Sequence, residues 1–179
     1  MNTTQYSTDE IRQAIEQGSV TAEYRADPRK LLQELNRLRA TEIASYLQYK
    51  QHAYMAVSLF APGLKPDFQA HANIELQHAD MLAQRIQQLG GVPVFDLTEM
   101  AAQAAQKGVQ SEQGATLTDM VIENLLLERR QIMAYTALIR QTGDTDPTTR
   151  RLLEDILSTT EQHASELADY LKRSAETRS

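Results

Sequence analysis

The sequence predicts an all-α protein built as a four-helix bundle, and three observations support this fold class. Glycine, proline and phenylalanine are scarce, with 7, 5 and 3 copies in 179 residues, and tryptophan is absent. Alanine, leucine, glutamine, glutamate and arginine, which favour helices, are abundant. Four long segments carry apolar residues at steps of three and four, the spacing of an amphipathic helix. The hydrophobic content of 41% is enough to fill one core.

The chain opens with a polar segment over residues 1–27 that contains one short helix. Ser7 is predicted to cap this helix, which ends near Gly18. Asp27-Pro28 then gives a cap and a first-turn proline for the first long helix, which is predicted to end near Ala61-Pro62-Gly63. A glutamate interrupts its apolar stripe, which runs Leu31, Leu35, Leu38, Glu42, Ser45 and Tyr49.

The second long helix is predicted to follow Lys65-Pro66-Asp67, with Asp67 as its cap, and to end at Gly90-Gly91. Its inner face is predicted to include Ala70 or His71, and then Ile74, Glu75, His78, Leu82, Ile86 and Leu89. The connection over residues 92–116 is predicted to contain a short helix over 96–107. Since a connection this long can cross the whole bundle, the second and third long helices are predicted to run parallel.

The third long helix is predicted to begin near Thr116, and a turn over residues 143–147 caps the fourth. The inner stripe of the third helix is Val121, Leu125, Glu128, Ile132, Tyr135 and Ile139. That of the fourth is Leu153, Ile156, Thr160, His163, Leu167 and Tyr170. We therefore divide the chain into an N-terminal extension (1–27), a bundle (28–173) and a C-terminal tail (174–179).

Charge and cysteine content restrict the function classes. The formal net charge of −6 opposes direct binding of nucleic acid or of an anionic membrane. Because cysteine is absent, any bound metal must be held by oxygen and imidazole, which suit iron or manganese better than a structural zinc. We find neither a signal peptide nor an apolar run of about 18 residues, so we predict a cytoplasmic protein without a membrane partner.

Each of the four stripes has a polar interruption. A single polar residue on an apolar face is usually a hydrogen-bonded core residue or a mis-phased surface residue, but here all four helices carry one. Buried carboxylates repel one another, so a bound cation is their natural compensation. A glutamate from each of two helices plus Glu-x-x-His from the others forms a di-metal site in bundle proteins. The candidate metal ligands and catalytic residues are Glu42, Glu75, His78, Glu128 and His163.

Longer segments resemble a known family over roughly residues 20–173. TAEYRADPRKLLQELNRLRATEIASYLQYK, HANIELQHADMLAQRIQQLGG, DPTTRRLLEDIL and EQHASELADYL are similar to the ferritin-like superfamily, and within it to bacterioferritin and Dps-like bacterial ferritins. The resemblance implies that Glu42 and Glu128 are terminal ligands of a di-iron centre and that Glu75 bridges its two ions. His78 and His163 would each bind one ion. Manganese or zinc are the alternative occupants.

The same resemblance implies a function. A ferritin-like four-helix bundle of this kind would store or detoxify iron by oxidising Fe(II) to Fe(III) with O2 or H2O2, which is ferroxidase chemistry. Its subunits would assemble into a homo-oligomeric shell of 12 or 24 copies, alone or mixed with a paralogue. Two alternatives stay open: a catalytically impaired structural subunit of such a shell, and a non-storage di-iron oxidase.

The chain departs from the family pattern at two positions. The second Glu-x-x-His needs a glutamate three residues before His163, where this sequence has Thr160. Glu161 is turned about 100° away along the helix. The centre could therefore use five protein ligands and a water, hold one metal weakly, or lack activity. In addition, Leu76 stands directly after Glu75, where haem-binding relatives have methionine, so we predict no haem.

Other polar and aromatic residues are assigned structural roles. We predict that His52, too far along its helix from Glu42 to share a metal, is a partly exposed structural histidine. His71 could add a ligand, but a surface role, or a role supporting a ligand, is favoured. Tyr46, Tyr49 and Tyr135 are interpreted as core packing.

Overall fold

A computed structural model of the protein describes residues 7–13, 15, 18–21, 24–56, 62–104 and 115–176. Within these ranges the chain forms six helices and no strand, which confirms the predicted all-α class. The helices are α1 (Thr8–Gln13), α2 (Pro28–Met55), α3 (Leu64–Gln88), α4 (Leu97–Gln103), α5 (Leu117–Thr142) and α6 (Pro147–Glu176). None of the described helices is long and apolar enough to cross a membrane.

The first two helices start at the predicted caps but end early. Ser7 and Glu10 cap α1 reciprocally, through bonds from Ser7 N to Glu10 Oε2 (2.7 Å) and from Glu10 N to Ser7 Oγ (3.2 Å). α1 ends at Gln13 rather than near Gly18. The Asp27 carboxylate accepts the first free amides of α2. α2 ends at Met55 because the backbone of Ala56 is extended, with ψ of 90°, so the predicted end near residues 61–63 is wrong.

The predicted cap of α3 is also wrong. The helix begins at Leu64 with Gly63 at the N-cap, and no side chain caps it. Asp67 lies in the first turn and instead accepts a hydrogen bond from the Tyr170 hydroxyl of α6. Pro66 does not delay the helix, since a first-turn residue needs no amide proton. The end agrees with the prediction: Gly90 takes the left-handed conformation, with φ of 78°.

The crossover and the last two helices start as predicted. Asp96 caps α4 through Glu99 N, although the predicted end of this helix at residue 107 lies outside the described residues. Thr116 and Asp119 form a complete capping box at the start of α5. Asp146 accepts the Thr149 amide (2.8 Å) at the start of α6.

The helices form two packed pairs, α2 with α3 and α5 with α6. On α2, Glu42 lies near His78 of α3, and Tyr49, two turns later, contacts Phe68. Glu42 also contacts Tyr135 of α5, whereas Tyr49 contacts Glu128. Residue numbers therefore rise along α2 as they fall along both α3 and α5, so α3 and α5 are parallel to each other. The predicted long crossover is confirmed.

The bundle contains two apolar clusters, one towards each end. The lower cluster contains Leu31, Leu35, Leu38, Leu82, Ile86, Leu89, Tyr135, Leu138, Leu153 and Ile156. The upper cluster contains Tyr49, Ala53, Ala56, Leu64, Phe68, Ala72, Met120, Val121, Leu127 and Leu167. Between them lies a layer of buried polar residues from all four long helices. We call it the polar layer; it contains Glu42, Glu75, His78, Glu128, Gln131, Thr160 and His163.

A buried ion pair joins α3 to the start of α6 beside the lower cluster. Arg85 donates from Nη2 to both oxygens of Asp146, each at 2.9 Å, and from Nε to Thr149 Oγ1 at 2.7 Å. Tyr24, ahead of α2, donates to Asp146 Oδ2 at 2.7 Å. One carboxylate thus connects α3, α6 and the segment that leads into the bundle.

Candidate metal centre

The structure brings the five predicted ligand residues together in the polar layer. Glu42, Glu75 and Glu128 are fully buried, and His78 and His163 are 4% and 2% exposed. They are buried because each takes a core position of its helix stripe, where the neighbouring positions are apolar. No carboxylate or imidazole would be stable there without a partner.

The side-chain atoms that could bind a metal form two adjacent groups. Glu42, Glu75 and His78 each offer one atom within 4.8 Å of the others, and so do His71, Glu128 and His163. The groups meet at Glu75, whose Oε1 lies 3.3 Å from His163 Nδ1. This arrangement offers two neighbouring positions for cations, with Glu75 between them.

Five side-chain atoms of the candidate ligands, and Oε1 of Gln131, have no hydrogen-bond partner among the described residues. Glu42 and Glu128 each leave one such oxygen, Oε2, and Glu75 leaves Oε1. The Nδ1 atoms of His78 and His163 also make no hydrogen bond. They lie 3.4 Å from Glu42 Oε2 and 3.3 Å from Glu75 Oε1, within ion-pair distance. Leaving a buried acceptor unsatisfied costs about 1–3 kcal/mol. Five such atoms converging on one place therefore fit bound cations.

The other carboxylate oxygens are held by neutral donors. Gln131 Nε2 donates to Glu42 Oε1 (2.9 Å) and to Glu75 Oε2 (3.1 Å). The hydroxyl of Tyr135 donates to Glu42, and that of Tyr49 to Glu128. Interpreting Tyr49 and Tyr135 as core packing alone was therefore incomplete: both pack, but both also orient a carboxylate.

The pKa values follow from burial and from crowding of like charges. Burial raises the pKa of Glu42, Glu75 and Glu128 to about 7 each. For Glu75 and Glu128, the neighbouring carboxylates contribute to this rise in pKa. Burial would lower the pKa of His163, but its contacts with Glu128 and Glu75 raise it to about 10. Without metal, a protonated His163 is thus the positive charge nearest these acids.

The place left by the missing glutamate of α6 is not filled from α6. Thr160 is fully buried, but its hydroxyl donates to the carbonyl of Ile156 (3.0 Å) in its own helix. Glu161 is exposed on the outside of the helix. Neither side chain gives the layer a fourth carboxylate.

Two histidines are more buried than predicted. His71 is only 5% exposed, so a surface position is wrong. Its ring stacks on that of His163, with centroids 3.9 Å apart and an angle of 15°. His52 is fully buried, not partly exposed, because α5 offers it polar partners. Its Nδ1 lies 2.8 Å from Asn124 Oδ1 and its Nε2 lies 3.1 Å from Glu123 Oε2.

Sequence reasoning missed Gln131 and Asn124, two buried amides on α5. The predicted stripe placed Leu125, Ile132 and Ile139 inward, but these are only half-buried. The buried face is turned towards residues that include Asn124, Leu127, Gln131 and Leu138. A signal existed, since Gln131 lies three residues after Glu128 and therefore on the same face.

Comparison with known proteins gives a consistent set of relatives. The family model of the ferritin-like domain matches residues 32–176 of this chain. Two nutrient stress-induced DNA-binding proteins are each 30% identical to the chain. The one from Nostoc sp. aligns over 145 residues, 78% of this chain and 76% of its own. The one from Synechococcus sp. aligns over 146 residues, 79% and 81%.

Solved structures show the same fold. The dodecameric thioferritin of Bacteroides fragilis, a bacterioferritin-related protein, superposes with a TM-score of 0.82 at 29% identity, covering 86% of this chain and 91% of its own. Dps from Thermosynechococcus elongatus superposes with a TM-score of 0.76 at 22% identity, covering 80% and 90%. The second likeness concerns the fold alone.

Proposed function

Since the chain belongs to the ferritin-like domain family, we propose that it stores or detoxifies iron by binding Fe(II) in the polar layer and oxidising it to Fe(III). The family and fold support iron storage or detoxification in general; oxidation at a di-iron centre is our proposal. The observation that carries it is the set of five converging buried ligand atoms that make no hydrogen bond and mostly face one another at 3.3–3.4 Å. Such a set is costly unless cations occupy it.

Each of the five candidate ligands has a defined part in this proposal. Glu42 and His78 hold one Fe(II), Glu128 and His163 hold the other, and Glu75 lies between the two. Each ion gives up one electron. Together with two protons, the pair of electrons reduces O2 to H2O2, or H2O2 to two water molecules. The carboxylates stabilise the higher charge of Fe(III).

The hydrogen bonds around the layer support fast chemistry. Gln131 and Tyr135 fix Glu42, and Tyr49 fixes Glu128, so these carboxylates need not reorient when an ion arrives. Because all three donors are neutral, they add no positive charge that would repel Fe(II). The ligands are therefore held in place without weakening the attraction for the substrate.

We also propose a homo-oligomeric shell that does not bind nucleic acid directly. The Bacteroides fragilis relative is dodecameric, which favours 12 subunits over 24. The cyanobacterial relatives are DNA-binding proteins by name. A formal charge of −6 per chain opposes that activity here. Light scattering measures the shell, and a gel mobility-shift assay with duplex DNA at low salt tests binding.

An anaerobic titration of metal-free protein with Fe(II), followed by addition of O2 or H2O2, tests the main proposal. We expect two Fe(II) per subunit and an Fe(III) absorbance that rises well above the buffer blank. Glu75→Gln should lose both, whereas Glu161→Gln, on the exposed side of α6, should keep both.

A different result would favour the alternative function. Saturation at one ion or none, with oxidation at the background rate, would indicate a structural shell subunit in which Thr160 has disabled the centre. Activity restored by Thr160→Glu would then identify the missing carboxylate as the cause. A small oligomer that oxidises iron without accumulating mineral would instead indicate a non-storage oxidase.

A further inference from the structure

The second cation position lacks a ligand from α6. The Thr160 hydroxyl donates a hydrogen bond to the carbonyl of Ile156, and Glu161 is exposed. Glu128 and His163 therefore remain as the ligands that belong to this position alone. With its share of Glu75, this position has as many protein ligands as the first position, which has Glu42 and His78, so each position has room for a further ligand.

His71 lies where a further ligand is needed. It projects from α3 one turn before Glu75, and its ring stacks on His163 at 3.9 Å. One donor atom each from His71, Glu128 and His163 lie within 4.8 Å of one another. The side chain is 95% buried, being 5% exposed, and its Nδ1 has no hydrogen-bond partner. An imidazole so deeply buried with a free nitrogen fits a metal ligand.

Glu166 of α6 orients this imidazole. Its Oε2 lies 3.0 Å from His71 Nε2. A carboxylate on one ring nitrogen fixes the proton there and leaves the other nitrogen, here Nδ1, as a lone-pair donor. Carboxylate–histidine–metal arrangements of this kind are common around bound metal ions.

A surface cleft leads to the same residue. The cleft has a volume of about 320 Å³ and lies between α3 and α6. His71 and Glu166 line it together with Asp67 and Asp169. Arg173 also lines the cleft, so three carboxylates and one guanidinium border the path by which an ion could reach His71 from solvent.

We propose that His71 is a ligand of the second metal position and replaces the carboxylate that Thr160 cannot supply, with Glu166 as its positioning residue. This inference rests on the proposed di-metal centre. The centre then has three carboxylates and three imidazoles, and its second position has two nitrogen ligands. Nitrogen ligands favour borderline ions, so Co(II) and Zn(II) should bind there more tightly than Mn(II).

Co(II) titration of the metal-free protein tests the proposal without relying on activity. Calorimetry gives the number of ions per subunit, and the visible absorption of Co(II) reports the nitrogen ligands. We expect two Co(II) for the wild type and one for His71→Ala. Gln77→Ala, an exposed position on the same helix, is the matched control and should bind two. Circular dichroism checks that each variant is folded.

Two further variants separate ligation from packing. Free imidazole should restore the second Co(II) to His71→Ala, since the cleft gives it access. Adding Thr160→Glu to His71→Ala should also restore it, because a carboxylate then returns to the position. Glu166→Gln should weaken the second site by about 10–100-fold while keeping both ions at high concentration.

The outcomes distinguish this inference from the proposed function. Two Co(II) in both the wild type and His71→Ala, with unchanged spectra, would overturn the role of His71 and leave the di-metal centre intact. No Co(II) or Fe(II) in the wild type would overturn the centre itself. If the wild type binds one Co(II) and His71→Ala also binds one, the role of His71 would likewise be overturned.

Discussion

Glu75→Gln should make the metal-free protein more stable. Glu75 is fully buried between two other carboxylates, and its pKa is raised to about 7 from 4.5. At about 1.4 kcal/mol per pKa unit, ionising it inside the bundle costs about 3 kcal/mol. Glutamine has the same shape, no charge, and an oxygen that can still accept from Gln131 Nε2. Because a buried amide has a burial cost of its own, we expect a gain of about 2 kcal/mol at pH 8.

The sign of the pH dependence follows from the raised pKa. The folded state keeps a proton on Glu75 that the unfolded chain loses above pH 4.5. The penalty is therefore absent below that pH and grows until about pH 7. Because the amide keeps its burial cost at every pH, the variant should be about 1 kcal/mol less stable than the wild type at pH 4 and about 2 kcal/mol more stable at pH 8.

Thermal unfolding at fixed protein concentration is the assay, because assembly into a shell makes the midpoint depend on concentration. For a chain of this size, 2 kcal/mol corresponds to about 4–8 °C in Tm. Adding Co(II) should reverse the order, since only the wild type can bind the ion between its carboxylates. Glu161→Gln, at an exposed position, should change neither result by more than about 0.5 kcal/mol. A metal-free Glu75→Gln that is no more stable than the wild type at pH 8 would refute the reasoning.

Three more predictions concern the polar layer and the helix ends. Asp146→Asn leaves Arg85 buried without its counter-charge and should lower the free energy of unfolding, measured with urea, by about 3–5 kcal/mol. Although burial alone would raise the pKa of Asp146, hydrogen bonds from Thr149, Tyr24 and Arg85 hold it below its usual value. The stability difference should therefore persist above about pH 5 and shrink below about pH 4. Gly90→Ala should lower stability by about 1 kcal/mol, because φ is 78° and an added Cβ would meet no other atom, so only the backbone conformation is strained. Gly90→Asn should lower it by less, since asparagine tolerates this conformation better. Equal losses for the two variants would contradict a conformational cause. Co(II) affinity should fall from pH 8 to pH 6 in calorimetry, because protons compete for the buried carboxylates; an affinity independent of pH would exclude those ligands.

Much of the fold could be predicted because helix periodicity and caps are local. Asp27 caps α2 as predicted, and Asp96 and Thr116 cap helices that were predicted to start at or near them. Asp67 did not, because α3 begins at Leu64 and its N-cap is Gly63, four residues earlier than predicted. A contact with Tyr170, far away in the sequence, uses the carboxylate instead.

The candidate ligands were predictable for a related reason. A glutamate on an apolar stripe is conspicuous, so Glu42 and Glu128 could be found from spacing alone. Gln131 and His71 were harder, since polar residues of that kind are common on exposed helix faces. Only the relative rotation of packed helices decides their burial, and that rotation depends on contacts between distant segments.

The polar layer lies between two apolar clusters, so the candidate metal ligands and the apolar core that holds the helices together are largely different sets of residues. Each cluster buries side chains from several helices, and one tyrosine of each, Tyr135 or Tyr49, donates a hydrogen bond to a carboxylate of the layer. Residues within the layer can therefore be substituted with little effect on the fold, and some substitutions, such as Glu75→Gln, remove the cost of a buried charge. Thr160, at the position where the family resemblance implies a glutamate, is a difference of this type. Selection could thus adjust which ion the bundle prefers by single substitutions, leaving both ends of the scaffold untouched.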